Sequence, residues 1–306
     1  MIVIAGPTAV GKTDLSIELA HHFNGEVING DSLQIYRGLD IGTGKIHPEE
    51  MQDVPHHLID ILEADERYDV SRFVQAATAL IVDIYHRGKL PIIVGGTGLY
   101  LEALMYQLEL GQDGSDSEVR KTYQEKLERV GNQALWTELD AKDPEAAASI
   151  PYQNTRRVIR ALEYIAVSGQ PFSKQNGHQE QVSRFKELIL VLDRPRELLY
   201  ERINQRVLMM VNDGLEAEVM DVYQKQGDAD WQSSKGIGYK EWFPYFKNEI
   251  SRDQVISDIQ QNSRRYAKRQ LTWFRNRFKQ KEWISIDASE DWKTQIFDLI
   301  QQHINR

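Results

Sequence analysis

Two groups near the amino terminus have the residue types and spacing for chemistry on a phosphorylated substrate. The first is Gly6-Pro7-Thr8-Ala9-Val10-Gly11-Lys12-Thr13, which follows the pattern G-x-x-x-x-G-K-[ST]. Its glycines let the backbone curl until successive N–H groups face one anion, the start of the next helix adds partial positive charge, and Lys12 adds a full one. The Thr13 hydroxyl can ligate Mg²⁺. Such a loop is a nucleotide- or ATP-binding motif in many proteins, yet by itself it specifies only a diphosphate or triphosphate receptor. The second group is Asp31, at the end of the short expected strand Gly25-Glu-Val-Ile-Asn-Gly-Asp31. It reads either as a catalytic carboxylate facing the same crevice or as the first residue of a turn or cap with Ser32.

The elements that must hold these groups follow from periodicity. Met1–Ala5 is a fully apolar run of the buried-strand type, and Leu15, Leu19 and Phe23 recur at the four-residue spacing of a helix face. Strands are expected at 25–31, 56–62, 88–95, 187–192 and 281–287. A helix capped by Ser71 is expected to run to about Arg87, burying Phe73, Ala76, Ala77, Leu80, Ile81 and Ile84. The strand before Gly95-Gly96-Thr97-Gly98 lacks the terminal Asp with which many P-loop ATPases hold Mg²⁺. Asp193, at the end of another apolar run, is read as an N-cap before the helix carrying Leu198, Leu199 and Ile203, with metal binding as the alternative. His56 and His57, being adjacent on a strand, face opposite ways and do not share an ion.

Composition shifts to Gly, Asp and Ser at 111–116, marking a linker. The stretch from there to about residue 183 shows helical patterns and no strand. The expected class is therefore α/β, a P-loop NTPase-like core with a parallel sheet flanked by helices, interrupted by an all-helical insertion. The corresponding segments are 1–113 for the first part of the core, 114–183 for the insertion, and 184–306 for the rest with its basic C-terminal helix. Trp242, Phe243, Tyr245 and Phe246 read mainly as core.

The chain has 306 residues and no cysteine, which excludes disulfides, thiolate metal sites and a cysteine nucleophile and suits a cytoplasmic protein. No apolar run approaches the length of a membrane span. The net charge of −9 hides a local excess: Arg264–Lys281 holds eight Lys or Arg and no Asp or Glu. Its interleaved Tyr266, Trp273 and Phe274 suit packing on one face and phosphate contact on the other. Arg156, Arg157 and Arg160 form a second cationic group, and Arg202 and Arg206 a third at i and i+4. Each reads either as a solvated face or as a polyanion contact.

Taken together, these blocks resemble the tRNA dimethylallyltransferase family, also called tRNA isopentenyltransferases. The resemblance rests on Gly6–Thr13, on Asp31-Ser-Leu-Gln-Ile-Tyr-Arg-Gly-Leu-Asp-Ile-Gly-Thr-Gly-Lys45, on Val94-Gly-Gly-Thr-Gly-Leu-Tyr100, on Gln153-Asn-Thr-Arg-Arg157 and on Gly236-Ile-Gly-Tyr-Lys-Glu241. It implies transfer of a dimethylallyl group from dimethylallyl diphosphate to the exocyclic amine of the adenosine 3′ to the anticodon, with Mg²⁺ at Thr13. It further implies that Asp31 takes the amine proton and that Thr8 to Thr13 hold the donor, with Lys12, Thr13, Thr97 and Arg206, or else Arg202, in the catalytic group. The tRNA anticodon stem-loop would meet Asp31, Ser32, Leu33, Gln34, Thr97, Arg120, Gln153, Asn154, Thr155, Arg156 and Arg157. A cytoplasmic monomer with a channel joining donor and acceptor ends is expected. The competing readings are a small-molecule kinase sharing the loop and a helical lid, and an RNA-binding ATPase.

Overall fold

The computed structural model describes residues 1–106, 117–175, 183–286 and 291–305. The expected linker at 111–116, and Asp287 at the end of the last expected strand, lie outside them. In chain order the first part comprises β1 (Ile2–Ala5), α1 (Lys12–Phe23), β2 (Gly25–Asn29), β3 (His56–His57), α2 (Val70–His86), β4 (Leu90–Gly95) and α3 (Gly98–Tyr106). Four helices follow: α4 (Ser117–Lys142), α5 (Pro144–Ser149), α6 (Thr155–Ser168) and α7 (Phe172–Gln175). The rest comprises β5 (Leu188–Asp193), α8 (Arg196–Asn212), α9 (Leu215–Gln226), α10 (Phe243–Phe246), α11 (Arg252–Arg277), β6 (Glu282–Ser285) and α12 (Asp291–Ile304). Two compact units result, one of Met1–Met105 with Ser183–Arg306 and one of Tyr106–Val182.

The first unit is built on a six-stranded sheet in the order β3-β2-β4-β1-β5-β6, and every pairing among the described residues is parallel. Parallel strands covered on both faces are predominantly apolar, which is why β1 reads Ile-Val-Ile-Ala; β1, β2 and β4 are buried at every position, with Glu26 and Asn29 the polar exceptions in β2. The α/β class expected from the sequence, with helices flanking a parallel sheet, is the class observed. Ile2, Ile4, Ile92, Leu190 and Leu192 meet Leu15, Leu19, Ile296 and Ile300 of α1 and α12 in the main core. In the second unit, Leu135, Leu139, Val158, Ala161 and Leu162 bury the facing stripes of α4 and α6 around a separate core. There Gly131, at φ 78° and ψ 170°, breaks the regular path of α4.

Several local expectations need correction. Helix α2 begins one residue earlier than Ser71, because the Asp69 carboxylate accepts from Arg72 N and takes the cap. The strand expected over 56–62 is only His56–His57, since Leu58 and Asp60 adopt positive φ and leave the extended path. Strand β2 stops at Asn29, two residues before Asp31. Asp193 is not the cap of α8: that position is Pro195, while Asp193 accepts from Arg194 N at 2.8 Å and from Trp283 Nε1 at 3.2 Å, tying β5 to β6.

At the β2–β3 edge a buried carboxylate is held by Arg87, Lys89 and His57. Glu26 accepts from Arg87 Nη2 at 2.7 Å and Lys89 Nζ at 2.8 Å, and His57 Nε2 lies 2.8 Å from it. The Arg87 guanidinium, helped by Lys89 and His57, holds this carboxyl well below the ordinary carboxylate range against the opposing pull of burial. A depressed folded-state value means that the stabilisation is complete at neutral pH and is lost as pH falls below the ordinary 4.5. Glu26→Gln should therefore cost on the order of 2 kcal/mol at pH 7, less than a fully buried pair because the partners are partly solvated. Urea unfolding at pH 7 and pH 4 should show the gap between wild type and variant narrowing on acidification.

Candidate active site

Parallel pairing places all strand C-termini on one edge, and β4 lies between β2 and β1. The loop after β1 and the segment after β2 therefore flank the end of β4, separated by two inter-strand spacings, about 10 Å. Gly6–Thr13 curls here, with Gly11 at φ 107° and Ala9 at φ 62°. A side chain at Gly6 would put its Cβ 2.8 Å from Leu192 O, so the loop packs directly on β5. Lys12 Nζ donates to Gly6 O at 3.1 Å and Pro7 O at 2.8 Å, which keeps its charge over the nest. Burial pushes the Lys12 pKa down to about 8, with Asp31 opposing and Arg206 adding to the effect.

Three arginines complete the cationic wall. Arg194 Nε donates to Val10 O and Arg202 Nε to Ala9 O, each at 3.0 Å, while Arg206 Nη2 donates to Gly44 O at 3.3 Å. Burial lowers the pKa of Arg206, with Asp31 opposing and Arg202 reinforcing, and burial followed by Arg202 lowers that of Arg194. Both Arg202 and Arg206 line the cavity, Arg202 on the nest and Arg206 toward Asp31. The Thr13 side chain is exposed in the first turn of α1 and borders the same space.

Asp31 faces this cavity from the other side of β4. Its Oδ1 accepts from Leu33 N at 2.9 Å, and its own N–H donates to Asn29 Oδ1 at 3.0 Å. The carboxylate thus closes a turn and also borders the crevice, so the two sequence readings coexist in one side chain. Ser32 N donates to Thr97 Oγ1 at 3.3 Å, and Gln34 Nε2 donates to Thr43 O and Gly44 O at 3.3 Å each. The cavity measures about 1800 Å³ and is lined by the nest, Asp31 to Gln34, the 40–47 loop, Gly95 and Gly96, Arg202 and Arg206, and Tyr266 with Gln270.

The positions expected in the second unit fall around the start of α6. Gln153, Asn154, Arg156 and Arg157 are exposed and Thr155 is partly so, and Arg156, Arg157 and Arg160 have no carboxylate partner among the described residues. Asn154 also caps α6 by accepting from Arg157 N. Arg120 Nε and Nη2 donate to the buried Glu163 at 3.1 and 2.9 Å, so its guanidinium is already engaged within the unit.

Two residues that the sequence did not single out organise the site. Gln270 of α11, 4% exposed, accepts from Thr8 N at 3.0 Å and donates to Gly96 O at 2.9 Å, clasping the nest to the end of β4. Glu218 of α9 accepts from Asp40 N, Ile41 N and Gly42 N at 2.9, 2.7 and 2.9 Å and from Tyr239 Oη at 2.6 Å. That carboxylate fixes the loop whose Gly44 receives Arg206. No spacing rule marks a lone Gln or Glu on an amphipathic helix; the glycine-rich 39–45 segment was the only hint.

The IPP transferase family model matches residues 34–277, and an isopentenyl transferase model matches residues 1–66. A tRNA dimethylallyltransferase of Limosilactobacillus reuteri is 50% identical over 309 residues, covering 100% of this chain and 99% of its own. One from Lactiplantibacillus plantarum is 51% identical over 289 residues, 94% of this chain and 91% of its own. Among solved structures, the full-length tRNA isopentenylpyrophosphate transferase of Bacillus halodurans superposes with a TM-score of 0.74 at 44% identity, covering 99% and 96% of the two chains. A eukaryotic dimethylallyltransferase solved as it acts on tRNA gives a TM-score of 0.82 at 30% identity, over 98% of this chain and 77% of that one.

Glu218→Gln should test the hold on the 39–45 loop. An amide offers one acceptor oxygen where three N–H groups and a phenol now converge, so about 1–3 kcal/mol of stability should be lost. The expected readout is a lower urea midpoint at unchanged slope; an unchanged midpoint would remove Glu218 from this role.

Proposed function

The chain belongs to the IPP transferase family, the tRNA dimethylallyltransferases, enzymes that move a prenyl group onto tRNA, and from that premise we propose its reaction and the residues that carry it. The donor is dimethylallyl diphosphate and the acceptor is the N6 amine of the adenosine next to the anticodon on its 3′ side. The observation that carries this reading is the single cavity bordered by both the Gly6–Thr13 nest and Asp31. A kinase base can also stand opposite a phosphate nest; what favours prenyl transfer over the kinase and ATPase readings is that the relatives are tRNA dimethylallyltransferases.

In this reading the diphosphate sits in the Thr8–Thr13 loop, on N–H groups other than that of Thr8, which Gln270 already holds, with Lys12 and the guanidiniums of Arg202 and Arg206 around it. As the allylic C–O bond breaks, its electron pair stays on the departing oxygen, and these fixed charges stabilise it where it forms. The N6 nitrogen bonds to the allylic carbon, becomes acidic, and gives its proton to Asp31. Thr97, bonded to Ser32, steadies the segment that carries Asp31. Mg²⁺ fits the exposed Thr13 hydroxyl, since that ion is commonly held by one or two protein oxygens with phosphate and water completing the shell. When bound there it would neutralise diphosphate charge. Extraction of the adenosine costs a few kcal/mol, which contacts from Ser32 to Gln34 and from Gln153 to Arg157 would offset. The protein would act as a monomer in the cytoplasm.

Transfer of labelled dimethylallyl groups to undermodified tRNA tests the reading, and label confined to the small-molecule fraction would defeat it. Asp31→Ala should keep donor affinity within about twofold while lowering kcat by ~10²–10⁴; equal collapse of donor binding would move Asp31 to the phosphate side. Because Lys12 titrates near 8 and only its cationic form holds diphosphate, KM for the donor should rise above about pH 8. The kcat at saturating donor should stay flat over the same range, because a bound anion keeps the lysine protonated.

A further inference from the structure

The turn Asp193-Arg194-Pro195 at the end of β5 contributes no reacting group, yet its backbone is firmly fixed. Asp193 Oδ1 accepts from Arg194 N at 2.8 Å, its Oδ2 accepts from Trp283 Nε1 at 3.2 Å, and its carbonyl accepts from Ile286 N at 2.8 Å. Pro195, at the N-cap of α8, holds the next φ at −47°. From this stalk the Arg194 side chain turns back to the nest. Its Nε donates to Val10 O at 3.0 Å, and its Nη2 lies 3.8 Å from the place that a Cβ on Gly11 would occupy. No carboxylate pairs with this guanidinium among the described residues, and the charge that acts on it is the repelling Arg202. Two like charges kept on one loop without an acid between them need a compensating task.

The task follows from the geometry of the peptide unit. Ala9, Val10 and Gly11 line the cavity whereas Arg194 does not, so the guanidinium reaches the loop from behind. No peptide bond among the described residues is cis, and in a trans peptide the C=O and N–H point in opposite directions. A cation on Val10 O therefore turns the Gly11 N–H toward the cavity, and Arg202 on Ala9 O does the same for the Val10 N–H. Neither N–H has a protein acceptor among the described residues. Both peptides also need holding. Ala9 stands at φ 62°, a left-handed conformation that a Cβ disfavours, and Gly11, at φ 107°, has the torsional freedom of a residue without one. With no partner on Val10 O, the 10–11 peptide could rotate its N–H out of the nest.

We propose that Arg194 is a positioning residue for the donor site, holding Val10 O from outside the cavity so that the Gly11 N–H stays aimed at the diphosphate. The inference rests on the diphosphate-nest reading and deepens it, giving the back of the nest to a residue that the substrate does not touch. The three arginines then divide the work. Arg206 faces the cavity and Asp31, Arg202 serves cavity and loop together, and Arg194 shapes the loop alone.

The test compares Arg194→Met, Arg194→Lys and Arg196→Met in the full chain. Arg194→Met should raise KM for dimethylallyl diphosphate and Ki for inorganic diphosphate together, each about tenfold, as expected for loss of a hydrogen bond from a charged donor. Its kcat at saturating donor and its KM for tRNA should stay within about threefold, the pattern of lost ground-state binding. Arg194→Lys keeps a cationic donor for Val10 O and should recover most of the loss. Arg196 is exposed and lies over the Tyr200 ring at 5.1 Å, so Arg196→Met removes the same charge two residues away and should not move donor KM. In the ligand-free protein, the Gly11 amide resonance should broaden through μs–ms exchange in Arg194→Met and sharpen again in Arg194→Lys. Unchanged diphosphate affinity in folded Arg194→Met would overturn the proposal. So would a loss that Arg196→Met matches, which is bulk charge, or a loss with the Gly11 resonance undisturbed, which marks direct contact with the ligand. Should Arg194→Met not fold, Arg194→Gln carries the same comparison. Diphosphate binding is read by calorimetry without tRNA, so failure of the wild type to prenylate tRNA would strike the functional reading separately.

Discussion

The site depends on how closely β2 and β4 approach at their carboxyl ends. Gly30 N donates to Val94 O at 2.7 Å, and a Cβ on Gly95 would lie 2.5 Å from the Gly30 carbonyl carbon. Only a glycine at 95 allows that separation. With any side chain there, the segment bearing Asp31 would be lifted away from the end of β4, and with it the turn that Asp31 closes onto Leu33. The nest on β1 has a close approach of its own, at Gly6 against Leu192 O. The distance between nest and carboxylate is set by a strand that contributes no reacting group.

The second constraint is electrostatic. Lys12, Arg194 and Arg202 converge on the nest and Arg206 on the 39–45 loop, and burial and mutual repulsion lower the pKa of Lys12, Arg194 and Arg206. Backbone carbonyls of Gly6, Pro7, Ala9, Val10 and Gly44 absorb part of that charge. Carbonyl dipoles are weaker partners than an oxyanion, so the arrangement favours whatever brings concentrated negative charge. This preorganisation matches a leaving group better than a reactant that keeps its charge spread.

What could be read from the sequence was whatever is local. The strand, loop and helix at 2–23 are contiguous, and parallel-strand topology then places Asp31 by rule. Ser71 and Asp69 are both capping types two residues apart, and only tertiary packing decides which of them reaches an N–H. Asp193 looked like a cap because Pro follows soon after; Trp283, ninety residues away, is what it answers to. Glu218 and Gln270 escaped notice for the same reason: their partners lie 176 to 178 and 174 to 262 residues distant, and no periodicity encodes such pairs. The helical insertion was visible as an absence of strand pattern, whereas the pairing of Arg120 with Glu163 inside it was not.

The Gln270 clasp has a consequence for how such a chain can change over generations. One amide satisfies Thr8 N and Gly96 O together, and the glycine at 96 leaves it room, since a Cβ there would fall 2.2 Å from the amide nitrogen. Substitutions at 8, 96 and 270 therefore do not add: each one's cost depends on which residues occupy the other two. Lineages can drift at these three places only in concert, and a homologue that has lost the amide should be found to have rebuilt both loops.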